Sequence, residues 1–391
     1  MILLQRATDV HWQQEREQER ERSFRVAQEV VARYVGSLPR AVKDSEIEIQ
    51  GLGPFWPLWP GSDGVVHAAT YGLTTFDVLH GLLFTDSTIR PTTAPARGSD
   101  GTRYFGAREG EMLALDPGGL VRWTRTVCKG METGNPAVAT DGRSVYVACR
   151  PQPYATQAQP ALVAVTSDGR TKWSIPIPWA AEEPPGIIGS NVYVVTRIRA
   201  DKGIGRTALV AVGDDGGVKW TIDVPSAASS LVIGDTVFLI SRSTLTAVTP
   251  DGRTRWSVPL HTVTLEKLGV TGDGTLWRTQ SDGPISTRTI VALGPDGTTR
   301  WTYDPSPITG MGVERAGAGK GVTFVESNTV LFALDSEGRV AWTFDQSPGR
   351  VFLSLPVTVN DFVCVLTGYA TDYHRSWLTV VRPPERRLPQ R

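Results

Sequence analysis

The chain has 391 residues, and its 40 Lys plus Arg balance 40 Asp plus Glu. That balance disfavours general nucleic-acid binding and leaves only a local basic patch for such a role. Three cysteines are too few for a disulfide framework, and no apolar run reaches transmembrane length.

In chain order, Met1-Ile2-Leu3-Leu4 gives way at once to polar residues, with neither a signal-peptide core nor an early lipid-attachment cysteine. A cytoplasmic location is therefore expected, or an exported one if a leader was removed. Asp9 to Val35 reads as an α-helix. Its first half alternates Glu and Arg without an apolar face, whereas Phe24, Ala27, Val31, Tyr34 and Val35 share one face of the second half. That stripe suits docking on the rest of the protein or binding of a partner. Residues 36–60 read as a linker that ends in Gly53-Pro54-Phe55-Trp56-Pro57-Leu58-Trp59-Pro60, where the prolines oppose a regular ladder. Residues 1–60 thus form a helix-plus-linker extension, and 61–391 the main domain. Two strand-like runs follow, Val65 to Tyr71 and Val78 to Phe84.

From Leu113 onward one pattern recurs. Ala114, Ala164, Ala211, Ala247, Ala292 and Ala333 each precede by five residues a glycine, namely Gly119, Gly169, Gly216, Gly252, Gly297 and Gly338. Four residues further on stand Trp123, Trp173, Trp220, Trp256, Trp301 and Trp342. Each copy reads as strand, tight turn, strand, with glycine supplying positive φ in turns such as Ser167-Asp168-Gly169. A small alanine lets sheets approach, and a large indole fills the space between them. Ahead of each copy lies a strand with a central aromatic, clearest at Tyr104, Tyr146 and Tyr193. The tryptophans recur every 36 to 50 residues, the period of a four-stranded β-propeller blade.

These repeats resemble the PQQ-like β-propeller family, whose blade is shared by quinoprotein dehydrogenases and by outer-membrane assembly lipoproteins of the BamB type. The resemblance covers roughly residues 92–385 and implies an all-β propeller. The quinone enzymes of that family also use an adjacent cysteine pair and a calcium site. Cys128, Cys149 and Cys364 are far apart in sequence and no matching acidic cluster is present, so no cofactor is expected.

The last unit runs through Pro356–Val359, Phe362–Thr367 and Trp377–Val381 without a fourth strand. An open edge is a liability. A seven-bladed ring is expected, with the first strands completing the last blade; an eight-bladed ring, with 62–90 as a blade of its own, is the alternative.

Chemistry is sparse. His11, His67, His80, His261 and His374 show no metal-ligand spacing, and no phosphate-binding loop or calcium ladder is present. One constellation emerges on aligning the units: Arg108, Arg150, Arg197 and Arg242 each lie four residues past the strand aromatic. The fold would bring them to one face as a binding surface for an anion or an acidic partner. The function expected is a non-catalytic scaffold for protein partners within a larger assembly. The alternative is an enzyme or ligand-sensing subunit using the central funnel.

Overall fold

The computed structural model describes residues 40–384, except 51–57, 61–63, 70–72, 80, 87–89, 152–158, 178–183, 198–206, 225–228, 242–243, 261–267, 272–273, 282–287, 320, 328, 347–348 and 370–371. The helix expected over Asp9 to Val35, with its stripe of Phe24, Ala27, Val31 and Tyr34, lies outside the described residues.

The strands form eight separate antiparallel sheets, one per blade. Blade 1 comprises Leu58–Pro60, Val65–Ala69, Leu73–Asp77 and Gly81–Asp86, so the ring has the eight blades of the alternative, not seven. Blade 2 comprises Ala96–Arg97, Arg103–Gly106, Glu111–Leu115 and Val121–Thr126. Blade 3 follows with an interrupted inner strand, Glu132–Thr133 and Ala137–Val138, then Ser144–Arg150, Ala161–Thr166 and Thr171–Pro176. Blades 4 to 7 repeat the order, with inner strands Gly186–Ile188, Ser229–Ile233, Leu268–Val270 and Arg315–Ala318. Inner strands of successive blades touch around the axis, and the apolar core lies in the layers between blades.

The repeat acts between blades. Trp123 Nε1 donates to Ser167 O at 2.9 Å, Trp220 to Pro250 O at 3.1 Å, Trp256 to Pro295 O at 2.8 Å and Trp301 to Ser336 O at 3.0 Å. In each case the acceptor is the hairpin turn of the next blade. The turn glycine seats against the same indole: at Gly169, φ is 85° and a Cβ would come within 2.9 Å of Trp123 Cδ2. Both constraints require glycine. Trp123 and Trp342 are buried at 8% and 6% exposure, whereas Trp173, Trp220, Trp256 and Trp301 are half-buried. These residues sit on the outermost strand, where the next blade covers one face and solvent reaches the rim.

Closure uses the stretch expected to be a linker. Val42–Gln50 pairs antiparallel with Asp372–Arg382 and becomes the fourth strand of blade 8, after the interrupted inner strand Arg350–Phe352 and Val357–Val359 and the second strand Phe362–Tyr369. The N-terminal donation is as expected, but the donor precedes the two runs that form blade 1. Ser45 pairs with Val380 as Trp342 pairs with Ala333, so Ala41 stands at the position of the turn glycine. Ala41 is buried in one cluster with Trp342, and its N–H donates to Thr343 O at 2.7 Å. Alternation in Ser45-Glu46-Ile47-Glu48-Ile49 sends Ile47 and Ile49 into the core shared with blade 1. On the same strand Glu46 pairs with Arg350, whose guanidinium lies 3.7 Å from the centroid of the Trp377 ring.

Candidate functional site

Arg108 follows the second strand of blade 2, in the short 3-10 turn Arg108–Gly110, and is exposed. Its neighbour Glu109 is held in the left-handed region at φ 58°, ψ 26°. The surrounding bonds explain how a non-glycine residue is kept there. Ala107 N donates to Glu111 O at 2.7 Å, and Thr133 Oγ1 reaches Ala107 O at 3.0 Å and Glu111 O at 2.9 Å. Val127 and Cys128 N–H groups both donate to Gly110 O, at 2.9 and 2.8 Å. A Cβ at Gly110 would lie 1.9 Å from Cys128 O, so only glycine fits. Cys128 is in turn bonded to Cys149 of blade 3 across a sequence separation of 21. The corner is thus braced covalently to the next blade.

Arg150 ends the second strand of blade 3, opposite Glu132 on the inner strand. Its Nη2 lies 3.6 Å from Glu132 Oε2, with side chains 36% and 46% exposed, and its buried Nε has no hydrogen-bond partner among the described residues. The 3-10 turn bearing Arg108 packs against the strand bearing Glu132. Two of the four arginines therefore come to one corner of blades 2 and 3, with a carboxylate beside them. Arg197 ends the strand Asn191–Arg197, paired with Thr207, and nothing further is described of its side chain. Arg242 lies outside the described residues.

The opposite, hairpin-turn face carries a regularity that the sequence reading missed. The residue before the motif tryptophan is Arg122, Lys172, Lys219, Arg255 or Arg300 in five of the six copies. Each reaches back over its own blade to the start of the second strand or the turn just before it. Arg122 meets Asp100 at 2.9 Å, Lys172 meets Ser144 at 2.9 Å and Arg255 meets Asp235 at 3.0 Å. Lys219 reaches Asn191 Oδ1 at 2.5 Å and Arg300 reaches Thr275 Oγ1 at 2.7 Å. These cations tie the outermost strand to the second one. The signal, Gly-x-x-basic-Trp, was present in the sequence. Further out, Arg170 pairs with Asp168 at 2.5 Å, and hydrogen bonds from Arg170 and then Thr166 hold the Asp168 carboxyl down at about 2.

Among the described residues no group of three or more His, Cys, Asp or Glu could hold a metal ion. A cavity of about 290 Å³ opens among the inner strands of blades 3 to 5, lined by Val138, Pro185, Ile187, Tyr193, Leu231 and Val232, with no charged side chain in its lining.

Eight antiparallel blades, six of them carrying the alanine–glycine–tryptophan unit, define a β-propeller whose repeats are similar to the PQQ-like kind. Residues 108–267 match the family model PQQ_2, described as outer membrane protein assembly factor BamB. Among solved structures the chain is similar to BamB from Moraxella catarrhalis, with a TM-score of 0.57 at 15% identity over 88% of this chain and 99% of that one. At that identity the likeness is one of fold. A protein of unknown function from Bacteroides caccae aligns with a TM-score of 0.38 at 16% identity, over 62% of this chain and 92% of that one. No curated protein matches.

Proposed function

We propose that this propeller is a non-catalytic scaffold that holds protein partners in a larger assembly, and that the corner formed by Arg108, Glu132 and Arg150 is one of its contact points. The observation that carries this reading is the braced corner itself. A disulfide, a glycine without room for a side chain and two threonine bonds hold an exposed, strained Arg108-Glu109 pair in place. A rigid, exposed charged tip loses little conformational freedom on association. The match to the outer-membrane assembly model supports partners of that kind. The Cys128–Cys149 bond favours an oxidising compartment over the cytoplasm expected from the first residues.

The test is reciprocal purification under native conditions with outer-membrane assembly proteins of the source cell, using wild type and the double variant Arg108→Gln, Arg150→Gln. Stoichiometric, salt-sensitive association that the double variant weakens is the expected result. Purification of the wild type as a free monomer with a turnover activity would sink the proposal.

A further inference from the structure

The boundary between blades 1 and 2 departs from the repeat at three positions, Trp59, His67 and Arg103. Trp59 pairs with His67 where blades 2, 3, 4, 6 and 7 set an alanine or glycine against the second-strand aromatic, as Ala96 against Tyr104, Ala137 against Tyr146 and Gly186 against Tyr193. His67 itself stands at that aromatic position. Arg103 stands where the other blades have Val145, Val192, Val237, Leu276, Thr323 and Val363. Coordinated breaks in a repeat are expected where a site has been built.

All three side chains are buried, at 4% exposure for Trp59, 2% for His67 and 4% for Arg103. Tyr104 points toward blade 3, so Arg103 and Phe105 on either side of it face blade 1. The Trp59 ring lies 5.9 Å from His67 and 5.0 Å from Phe105. Arg103 Nη2 donates to Pro60 O. His67 Nδ1 shares a hydrogen bond of 2.9 Å with Thr75 Oγ1.

The chemistry of the cluster is one-sided. Among the described residues the buried Trp59 Nε1–H has no acceptor. Among the described residues no carboxylate pairs with Arg103, and the residue opposite it across the sheet is another cation, the exposed Arg97. Burial, and then the charge of Arg103, push the His67 ring down to about 4, so it is neutral at ordinary pH. Burial and Arg97 likewise hold the Arg103 guanidinium below its usual range. A buried cation without a counter-charge is costly, and a buried N–H without an acceptor adds to the cost. A water could accept from the indole but would leave the charge uncompensated.

We propose that Arg103, Trp59 and Arg97 form a binding site for a small singly charged anion, either an inorganic halide-sized ion or the carboxylate of an organic ligand. The indole N–H and the guanidinium are its donors, and Arg97 guards the way in from the turn face. The site is independent of the partner-binding corner on blades 2 and 3, so either can fail without the other.

The test is thermal unfolding of the full chain at constant ionic strength, exchanging bulky isethionate for chloride in one series and for acetate in another. Binding to the folded state raises Tm with the logarithm of ligand concentration. A rise with chloride alone assigns an inorganic ion, and a rise with acetate assigns a carboxylate ligand. Arg97→Gln, at an exposed position, and Trp59→Phe, which keeps the ring and removes the N–H, should each raise the concentration needed for a given shift by about tenfold, the worth of one charge-assisted hydrogen bond. Equal Tm in all three salts, or variants that respond as the wild type does, would overturn the proposal.

Discussion

Trp173 on the outermost strand of blade 3 donates its indole N–H to Asp214 O on the hairpin turn of blade 4, at 2.7 Å. The same indole is the surface on which Gly216 rests: φ there is 84°, and a Cβ would come within 3.0 Å of the ring. One residue thus receives the next blade by a directed bond and by a close contact, and the arrangement recurs from blade 2 to blade 7. A ring built this way transmits the loss of one docking pair to two blades.

Trp220→Ala should therefore cost about 3 kcal/mol, the low end of the range for a large aromatic because the side chain is half-buried. Gly216→Ala should cost at least about 1 kcal/mol through its left-handed φ and its contact with Trp173. Denaturant unfolding of each variant measures both. A Trp220→Ala protein within a few tenths of a kcal/mol of wild type would contradict this account of blade docking.

The repeat was legible because its chemistry is local: turn, glycine and indole lie within ten residues. The blade count was not, because blade 1 lacks the unit. Thr75 pairs with Phe84 just before a bulge, as Ala114 pairs with Trp123, so the geometry is kept while both marker residues are replaced. The closing strand did carry a signal, the period-two run Ser45-Glu46-Ile47-Glu48-Ile49, overshadowed by the prolines that follow. The Cys128–Cys149 bond and the packing of the turn that bears Arg108 against the strand that bears Glu132 depend on how neighbouring blades stack, which no spacing in the sequence encodes.

Stability should depend on pH through Glu326. Its position in the second strand is taken by Ala148 in blade 3 and Ile240 in blade 5, yet here a carboxylate at 1% exposure pairs with Arg315 at 2.6 Å. Arg315 also donates to Phe352 O of blade 8. Burial, opposed by Arg315, pushes the Glu326 carboxyl up from 4.5 to about 7. The folded state then binds this proton more tightly than the unfolded one. Its contribution is fully present below about 4.5 and is lost as pH rises through about 7. The size is on the order of 3 kcal/mol. His67 acts in the opposite sense: its contribution is present above 6.5 and lost as pH falls through about 4. Glu326→Gln should flatten the decline between pH 5 and 8 that its titration produces, measured by chemical denaturation across that range. An unchanged pH profile would show that the carboxylate stays ionised throughout.

Reducing the Cys128–Cys149 bond should destabilise the fold by about 3 kcal/mol, given the 21-residue separation it spans. Because Gly110 O accepts from Cys128 N, the effect should be felt first at the corner. Hydrogen exchange of residues 107–111 should rise in the Cys128→Ser, Cys149→Ser protein, while the turn of blade 5 around Gly252 stays protected. Uniform loss of protection would show that the bond stabilises the whole ring and does not brace the corner.

The arginines of that corner should be separable from the fold. Arg150 meets Glu132 at 3.6 Å with both side chains more than a third exposed, a pair worth less than about 1 kcal/mol. Arg108 is exposed at the tip of its turn. Replacing both by Gln should leave Tm within a degree or two of wild type. Binding of an acidic partner should nevertheless weaken, and the weakening should be largest at low salt, because exposed charges are screened beyond roughly 8–10 Å at ordinary ionic strength. The two measurements discriminate because the structural and functional roles predict opposite patterns. If these guanidiniums only satisfy Glu132 and the strand end, Tm falls and association is untouched. If they face a partner, association falls and Tm holds. Arg150 Nε, buried without an acceptor among the described residues, favours the second pattern: a partner carboxylate at this corner would draw the guanidinium into a better geometry than Glu132 gives it.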